Sequence, residues 1–255
     1  MSAVFDGLAG IYDRQRPRYP DAVFALLVSL LPADHPVRIL DAGSGTGVIL
    51  EGLIPRLPPH PAITAVDVST DMLATGRAKF PAVEWVHAPV EEELERRFGL
   101  SLITAGQSAH WFDRPRFYRA ARAALVPGGA LAIVQNNREY SGGGFAAGWE
   151  DFVERHDPGY RRDYRDFPYA TELPRALGGG PGDAGVLSQP WTLTRSAEDT
   201  RGRALSSSKI RGALRLGGAA AEADLAELIA EHTVDGNISM SMKTEVFWAR
   251  TPTHK

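Results

Sequence analysis

The sequence contains no cysteine, which excludes disulfides, thiolate metal ligands and a cysteine nucleophile. Lysine is scarce: Lys79, Lys209, Lys243 and Lys255 are the four among 28 basic residues. That skew towards arginine reads as genome composition rather than as an arginine-specific function. Neither sign of charge is in large excess, since 28 basic and 31 acidic residues give a formal net charge of −3. Affinity for nucleic acid comes mainly from cations on phosphates, so nucleic acid is not expected as a partner. Long apolar runs are missing too. The best, Ala22 to Leu31, is about ten residues against the roughly 18 that a membrane span needs. It also lies too far from the N-terminus, without the basic start, to read as a signal peptide. No membrane partner is expected, and the cytoplasm is the expected location. The seven histidines (35, 60, 87, 110, 156, 232 and 254) never pair at metal-ligand spacing, so no metal is expected.

What is present suits a packed core: 255 residues, 44% of them hydrophobic, can bury one without a staple. Phe5, Leu8, Ala9 and Tyr12 fall at helical spacing, Arg16-Pro17-Arg18-Tyr19-Pro20 breaks the pattern, and a second helix is expected over Ala22 to Leu31 with Asp21 at its start. Short β-runs then alternate with helical segments. The runs are Val37 to Ala42, Ile63 to Val68, Val83 to Val86, Leu100 to Ala105 and Ala130 to Gln135, the last entered by a turn at Pro127-Gly128-Gly129. The helices are expected over Val48 to Leu57, Thr70 to Lys79 (with Ser69 or Thr70 as N-cap) and Arg114 to Leu125. Such alternation predicts an α/β fold, a Rossmann-like, mostly parallel sheet of seven strands with helices on both faces and a small helical cap.

After Asn136 the regularity fails. Two glycine clusters, Gly142 to Gly144 and Gly178 to Gly182, flank a charged stretch, read either as a partly helical cap over a site or as a surface excursion. Strands are expected at Gln189 to Thr194 and from Ile238 to Ala249, with a helix over Ala219 to His232 between them. A single domain is expected: N-terminal helices over 1–36, a ligand-binding core over 37–135, a cap over 136–200 and a closing helix and strands over 201–255. Glu91-Glu92-Glu93-x-Glu95-Arg96-Arg97 reads as a solvated helix face with internal charge pairs. Trp149, Trp191 and Trp248 read as packing residues.

The sharpest local signal is Ile39-Leu40-Asp41-Ala42-Gly43-Ser44-Gly45-Thr46-Gly47, an apolar strand running into closely spaced glycines and then a helix. Glycine admits positive φ and removes the Cβ that would block a ligand lying on the backbone. In an open α/β sheet a nucleotide-like ligand sits at this first strand-to-helix turn. Asp67, twenty residues beyond Gly47 at the end of the second β-run, suits the two hydroxyls of a ribose. The dinucleotide fingerprint G-x-G-x-x-G would need a third glycine at Val48. Asp41, two residues before the first glycine, would also repel a pyrophosphate. A ligand carrying an ammonium and a sulfonium fits better, and S-adenosylmethionine is favoured over NAD.

At these residues the chain resembles the class I S-adenosylmethionine-dependent methyltransferases. Phe5-Asp6-x-x-Ala9-x-x-Tyr12-Asp13, Arg16-Pro17-x-Tyr19-Pro20, Gln107-x-x-His110-Trp111-Phe112-Asp113 and Leu125-x-Pro127-Gly128-Gly129 resemble the trans-aconitate methyltransferase-like branch (a type 11 methyltransferase domain). The resemblance covers about residues 5–135. It implies an enzyme that moves a methyl group by in-line displacement from S-adenosylmethionine to an oxygen, nitrogen or carbon atom of a small-molecule acceptor, for instance a carboxylate. It implies that Asp41, Gly43, Ser44 and Gly45 line the methionine part of the cofactor and that Asp67 holds the ribose. Val68 and Met72 would lie near the adenine with Pro89 and Val90, where Pro89 replaces the acid usual at the adenine edge. Gln107, Arg16 and Tyr19 would complete the cofactor site, Arg16 pairing with the cofactor carboxylate.

His110 is the candidate base, Tyr12 a lid residue over the sulfonium, and Trp111 and Arg138 candidate acceptor contacts. For His110, Tyr12 and Arg138 a purely structural role is the alternative. Gly106-Gln107-Ser108-Ala109-His110 superficially resembles a nucleophile elbow, but His110 stands at the second glycine and no acid partner follows. Cyclisation or cleavage of S-adenosylmethionine, or a non-catalytic binding protein of the same fold, are the alternative functions. The expected assembly is a monomer or homodimer.

Overall fold

The computed structural model describes residues 16–164 and 166–253. The helix expected around Phe5 to Tyr12, and Tyr12 itself, lie outside the described residues. Alternation of apolar residues with turn-forming ones produces the expected order of strands and helices. Helix α1 spans Asp21–Ser29, β1 Arg38–Ala42, α2 Val48–Leu53, β2 Ala62–Asp67, α3 Thr70–Lys79 and β3 Glu84–His87. Then come α4 (Val90–Leu94), β4 (Leu100–Gly106), α5 (Arg114–Ala124) and β5 (Leu125–Arg138). The chain continues through α6 (Gly144–His156), α7 (Tyr169–Leu177), β6 (Ala184–Ser196), α8 (Ala197–Ser206), α9 (Ser208–Glu231), β7 (Thr233–Val234) and β8 (Asn237–Arg250).

The strands form one sheet in the order β3-β2-β1-β4-β5-β8-β6, with the two-residue β7 paired to β8. The path is seven strands long as expected, and β7 makes the eighth. Pairs β1–β2, β2–β3, β1–β4 and β4–β5 are all parallel. The chain moves outward from β1 through β2 to β3 and then returns to β4 on the other side of β1. That reversal makes a topological switch point, where loops leaving the carboxyl ends of neighbouring strands diverge and open a crevice.

Two compact units emerge from the contacts, one of Met1–Gln135, Phe167–Gln189 and Thr244–Lys255 and one of Asn136–Asp166 and Pro190–Lys243. In the first, period-2 alternation assigns strand residues to opposite faces of the sheet. Leu40, Ala42, Ile103, Ala105, Leu131 and Ile133 pack with α4, α5 and α7, while Ile39, Leu102, Ala130, Ala132 and Val134 pack with α1, α2 and α3. A parallel sheet covered on both faces needs near-continuous apolar strands, which is why these runs are mostly apolar. The second unit has its own core, in which Phe145, Trp149 and Phe152 of α6 pack with Ile210, Ala213, Leu225 and Leu228 of α9. Gly218 breaks α9 with φ 57° and ψ −140°, so a separate helix begins at the expected Ala219. Among the described residues no helix is long and apolar enough to cross a membrane.

Three local expectations need correction. Pro127-Gly128-Gly129 is not a turn before the fifth strand but part of it. Leu100 pairs with Leu125 and Leu102 with Ala130, so the intervening residues bulge, with Gly128 at φ 74°. The expected helix from Val48 to Leu57 stops as an α-helix at Leu53 and tightens to a 3-10 turn over Ile54–Arg56, because Pro55 cannot donate to the α ladder. The acidic run is not a solvated face throughout: Glu91 and Glu93 are buried. Glu91 accepts the Asp113 N–H at 2.9 Å and Glu93 accepts from Arg97 at 2.6 Å, so partners replace the lost water.

Helix α3 lies so close to β3 that Gly76 has no room for a side chain. A Cβ there would stand 2.1 Å from the Trp85 ring, which is anchored by its Nε1–H donating to Phe80 O at 3.1 Å. Alanine gains about 1 kcal/mol of helix propensity over glycine, but overpacking a fixed core costs about 1–3 kcal/mol. Gly76→Ala is therefore expected to lower the urea midpoint, and an unchanged or higher midpoint contradicts this packing.

Candidate functional site

The loop between β1 and α2 sets the site. Gly43, Gly45 and Gly47 all have positive φ (63°, 54° and 82°), and two of them also answer to space. A Cβ on Gly43 would stand 2.5 Å from the Ser108 Cβ, whereas one on Gly45 would meet nothing within 4 Å. Gly43 thus lets two loops touch, and Gly45 leaves the backbone bare towards open space. The loop is tied down by its neighbours: Ser44 N–H donates to Val66 O at 3.0 Å, and Ser108 Oγ–H donates to Ala42 O at 2.6 Å.

Asp67, at the end of β2, braces the same loop. Its Oδ2 accepts the Gly45 N–H at 2.8 Å and its Oδ1 accepts the Ser69 N–H at 2.9 Å. Ser69 then caps α3, its side chain accepting the Met72 N–H. Asp41 is 2% exposed and accepts from Thr104 Oγ1 at 2.7 Å. Burial is the main cause that pushes the Asp41 carboxyl up to about 7; the Thr104 hydrogen bond opposes the rise and the Asp67 charge adds to it. Beyond β4, Gln107 adopts φ 57° and donates its N–H to Val134 O at 2.9 Å. A non-glycine residue held in the left-handed region marks a backbone constrained by its surroundings, a feature that clusters at ligand sites.

These groups surround a cavity of about 470 Å³, within the roughly 300–1,000 Å³ common for small-molecule sites. Asp41, Gly43, Ser44 and Gly45 line it, as do Asp67, Val68 and Met72. Pro89, Val90 and Gln107 complete the wall together with Arg16 and Tyr19. All the residues expected to hold the cofactor therefore line one cavity. Trp111 lines it as well, and with Val68 it leaves apolar surface uncovered (57% and 43% exposed). His110 is not among the lining residues; it sits in the 3-10 turn Ala109–Trp111 with its ring 5.0 Å from that of Trp111. Arg138 belongs to the second unit, where its Nε donates to the buried Glu150 and its guanidinium lies 5.5 Å from the Trp149 ring.

Sequence reasoning missed Thr104 and Glu91. Thr104 becomes relevant only once β1 and β4 are known to be neighbours, in register Asp41 to Thr104. Glu91 lines the cavity beside Pro89, but within an acidic run nothing distinguished it from its solvated neighbours.

The raised Asp41 carboxyl has a consequence for stability. Between the ordinary carboxylate range near 3.8 and about 7, the unfolded chain has released a proton that the folded chain keeps. Folding stability from this group therefore falls as pH rises through that window. Asp41→Asn removes this titrating group, so urea unfolding at pH 4.5 and 7.5 is expected to show the variant gaining on the wild type at the higher pH. A pH-independent difference contradicts this assignment.

Comparison with known proteins agrees with this geometry. Residues 39–129 match the family described as "Methyltransferase domain". An uncharacterized methyltransferase of Mycobacterium tuberculosis is 33% identical over 139 residues, 54% of this chain and 54% of that protein. A trans-aconitate 2-methyltransferase of Rhodopseudomonas palustris is 31% identical over 108 residues, 42% of this chain and 41% of its own length. The match thus spans about half the length of these curated relatives. Among solved structures, one from Anaeromyxobacter dehalogenans described as a type II methyltransferase has a TM-score of 0.67 at 22% identity, covering 93% of this chain and 99% of its own. The YcgJ protein of Bacillus subtilis has a TM-score of 0.53 at 16% identity, covering 91% and 99%. These structures share the fold. The residues that match the methyltransferase domain, 39–129, include every cavity-lining residue except Arg16 and Tyr19.

Proposed function

We propose that this protein is an S-adenosylmethionine-dependent methyltransferase acting on a small-molecule acceptor. One observation carries the reading: the buried Asp41, the bare backbone at Gly45 and the backbone-anchored Asp67 meet on one cavity wall. Two carboxylates that feel each other's charge favour a cationic ligand over a pyrophosphate. A carboxylate offers about four acceptor positions. Asp67 uses two on backbone N–H groups and keeps the rest for a ribose diol. Val68, Met72, Pro89 and Val90 supply apolar surface for the adenine, and Glu91 supplies a carboxylate for its amine. Arg16 suits the carboxylate of the methionine part, as a forked donor.

When bound, S-adenosylmethionine supplies a methyl group on a positively charged sulfur, already activated for transfer. The chain's own residues then have to bind, orient and exclude water. Trp111, on the cavity wall, is proposed as an acceptor contact. The likeness to trans-aconitate 2-methyltransferases supports a small carboxylic acid as acceptor. Such an acceptor is already ionised at neutral pH and needs no base. For an acceptor that must lose a proton, His110 is the proposed base.

Titration calorimetry with S-adenosylhomocysteine is expected to show one site. Asp67→Ala should weaken it by about 10–100-fold, from charge-assisted hydrogen bonds of about 1.5–3 kcal/mol. Labelled methyl transfer from S-adenosylmethionine to a panel of small carboxylic acids, phenols and amines should yield a methylated product by mass spectrometry. Methylthioadenosine formed without any acceptor, or no binding by the wild type, contradicts the proposal.

A further inference from the structure

Asp41 sits within β1, one residue before its carboxyl end, rather than in the loop beyond it. On one side the register sets Ala65 of β2 beside it, which brings no hydrogen-bonding side chain; on the other it sets Thr104 of β4. Thr104 is fully buried, and its hydroxyl donates to Asp41 Oδ1 at 2.7 Å. Asp41 nonetheless reaches the cavity wall. One carboxylate oxygen is thus engaged inside the sheet, and the group as a whole borders the space where a ligand would lie. The charged side chains on that wall are Arg16, Asp67, Glu91, Asp113 and Arg116. Among the described residues, Asp67 is the one whose charge bears on Asp41, and it disfavours ionisation. Thr104 is the side-chain donor that opposes both this field and the burial.

We propose that Thr104 is a positioning residue: through the hydrogen bond across the β1–β4 pair it favours the ionised form of Asp41 and fixes its orientation, and so tunes the capture of a cationic ligand group. This rests on the reading of the cavity as an S-adenosylmethionine site. The ionised Asp41 attracts the ligand's ammonium group, whereas a protonated one offers it no charge. A hydrogen bond to a charged group contributes about 1.5–3 kcal/mol, so losing it is expected to cost roughly 10–100-fold in affinity near neutral pH. Valine has nearly the shape of threonine but lacks the hydroxyl. Serine keeps the hydroxyl and loses a methyl group.

The test is titration calorimetry with S-adenosylhomocysteine from pH 5.5 to 8 on the wild type, Thr104→Val and Thr104→Ser. Wild-type affinity should rise with pH through about 7, where Asp41 ionises. In Thr104→Val the rise should move to higher pH, with about 10–100-fold weaker binding at pH 7. Thr104→Ser should recover most of the loss. A second readout needs no ligand: urea unfolding of Thr104→Val should lose more stability than the wild type between pH 5 and 8. Wild-type binding with no shift in Thr104→Val, or Thr104→Ser as weak as Thr104→Val, overturns the role of Thr104. If the ligand-free shift is present but S-adenosylhomocysteine binds to no form, the cofactor reading fails and the control of Asp41 by Thr104 stands.

Discussion

Where β1 lies beside β4, the chain has already travelled out through β2 and β3 and come back. The pairing is parallel, Ile39 to Leu102 through Asp41 to Thr104, and the site depends on it. It makes the loops after β1 and β4 neighbours that diverge in opposite directions, which opens the crevice. It also lets Gly43 approach Ser108 more closely than any side chain would allow, and Ser108 fastens the two loops through Ala42 O. Asp67, from the next strand outward, then holds Gly45 and Ser69 by their backbone N–H groups. The polar part of the cavity wall, the loop amides with Asp41 and Asp67, thus has its place set by the sheet.

That arrangement carries an energetic conflict. A carboxylate inside a sheet loses its water, and a second carboxylate nearby adds to the penalty. Asp41 suffers both, and one hydroxyl only partly offsets them. Burial and the Asp67 charge therefore both disfavour the ionised form of Asp41 in the unliganded site. The same frustration makes it complementary to positive charge, because a cationic ligand removes the repulsion that the empty site contains. Such local conflicts between stability and fit are expected where a protein binds. The apolar part of the wall is arranged in the same spirit, with Val68 and Trp111 left uncovered rather than folded into the core.

Much of this was legible in the sequence because it depends on short-range rules. Period-2 apolar runs and glycines next to Asp41 locate β1 and its loop, and the acid at the end of the second run is Asp67. What the sequence hid depends on contacts between distant segments. Thr104 looks like any strand threonine until β4 is placed beside β1. Glu91 looks solvated until Asp113 folds back to donate to it. The strand β5 began earlier than expected because Gly128 absorbs a bulge, its N–H bonding Pro252 O from the far end of the chain. The helix after residue 218 was readable from the spacing of Leu225, Leu228 and Ile229, whereas the break at Gly218 shows only in the backbone.

The cavity beside Asp41 and Asp67 is the proposed place of the cofactor. A crystal structure of the protein with S-adenosylhomocysteine tests that most directly. Density is expected in this cavity, with the ribose hydroxyls on Asp67, the amino group facing Asp41 and the adenine between Val68 and Val90. Density lying elsewhere, or a ligand in this cavity with its charged groups turned away from both carboxylates, would contradict it.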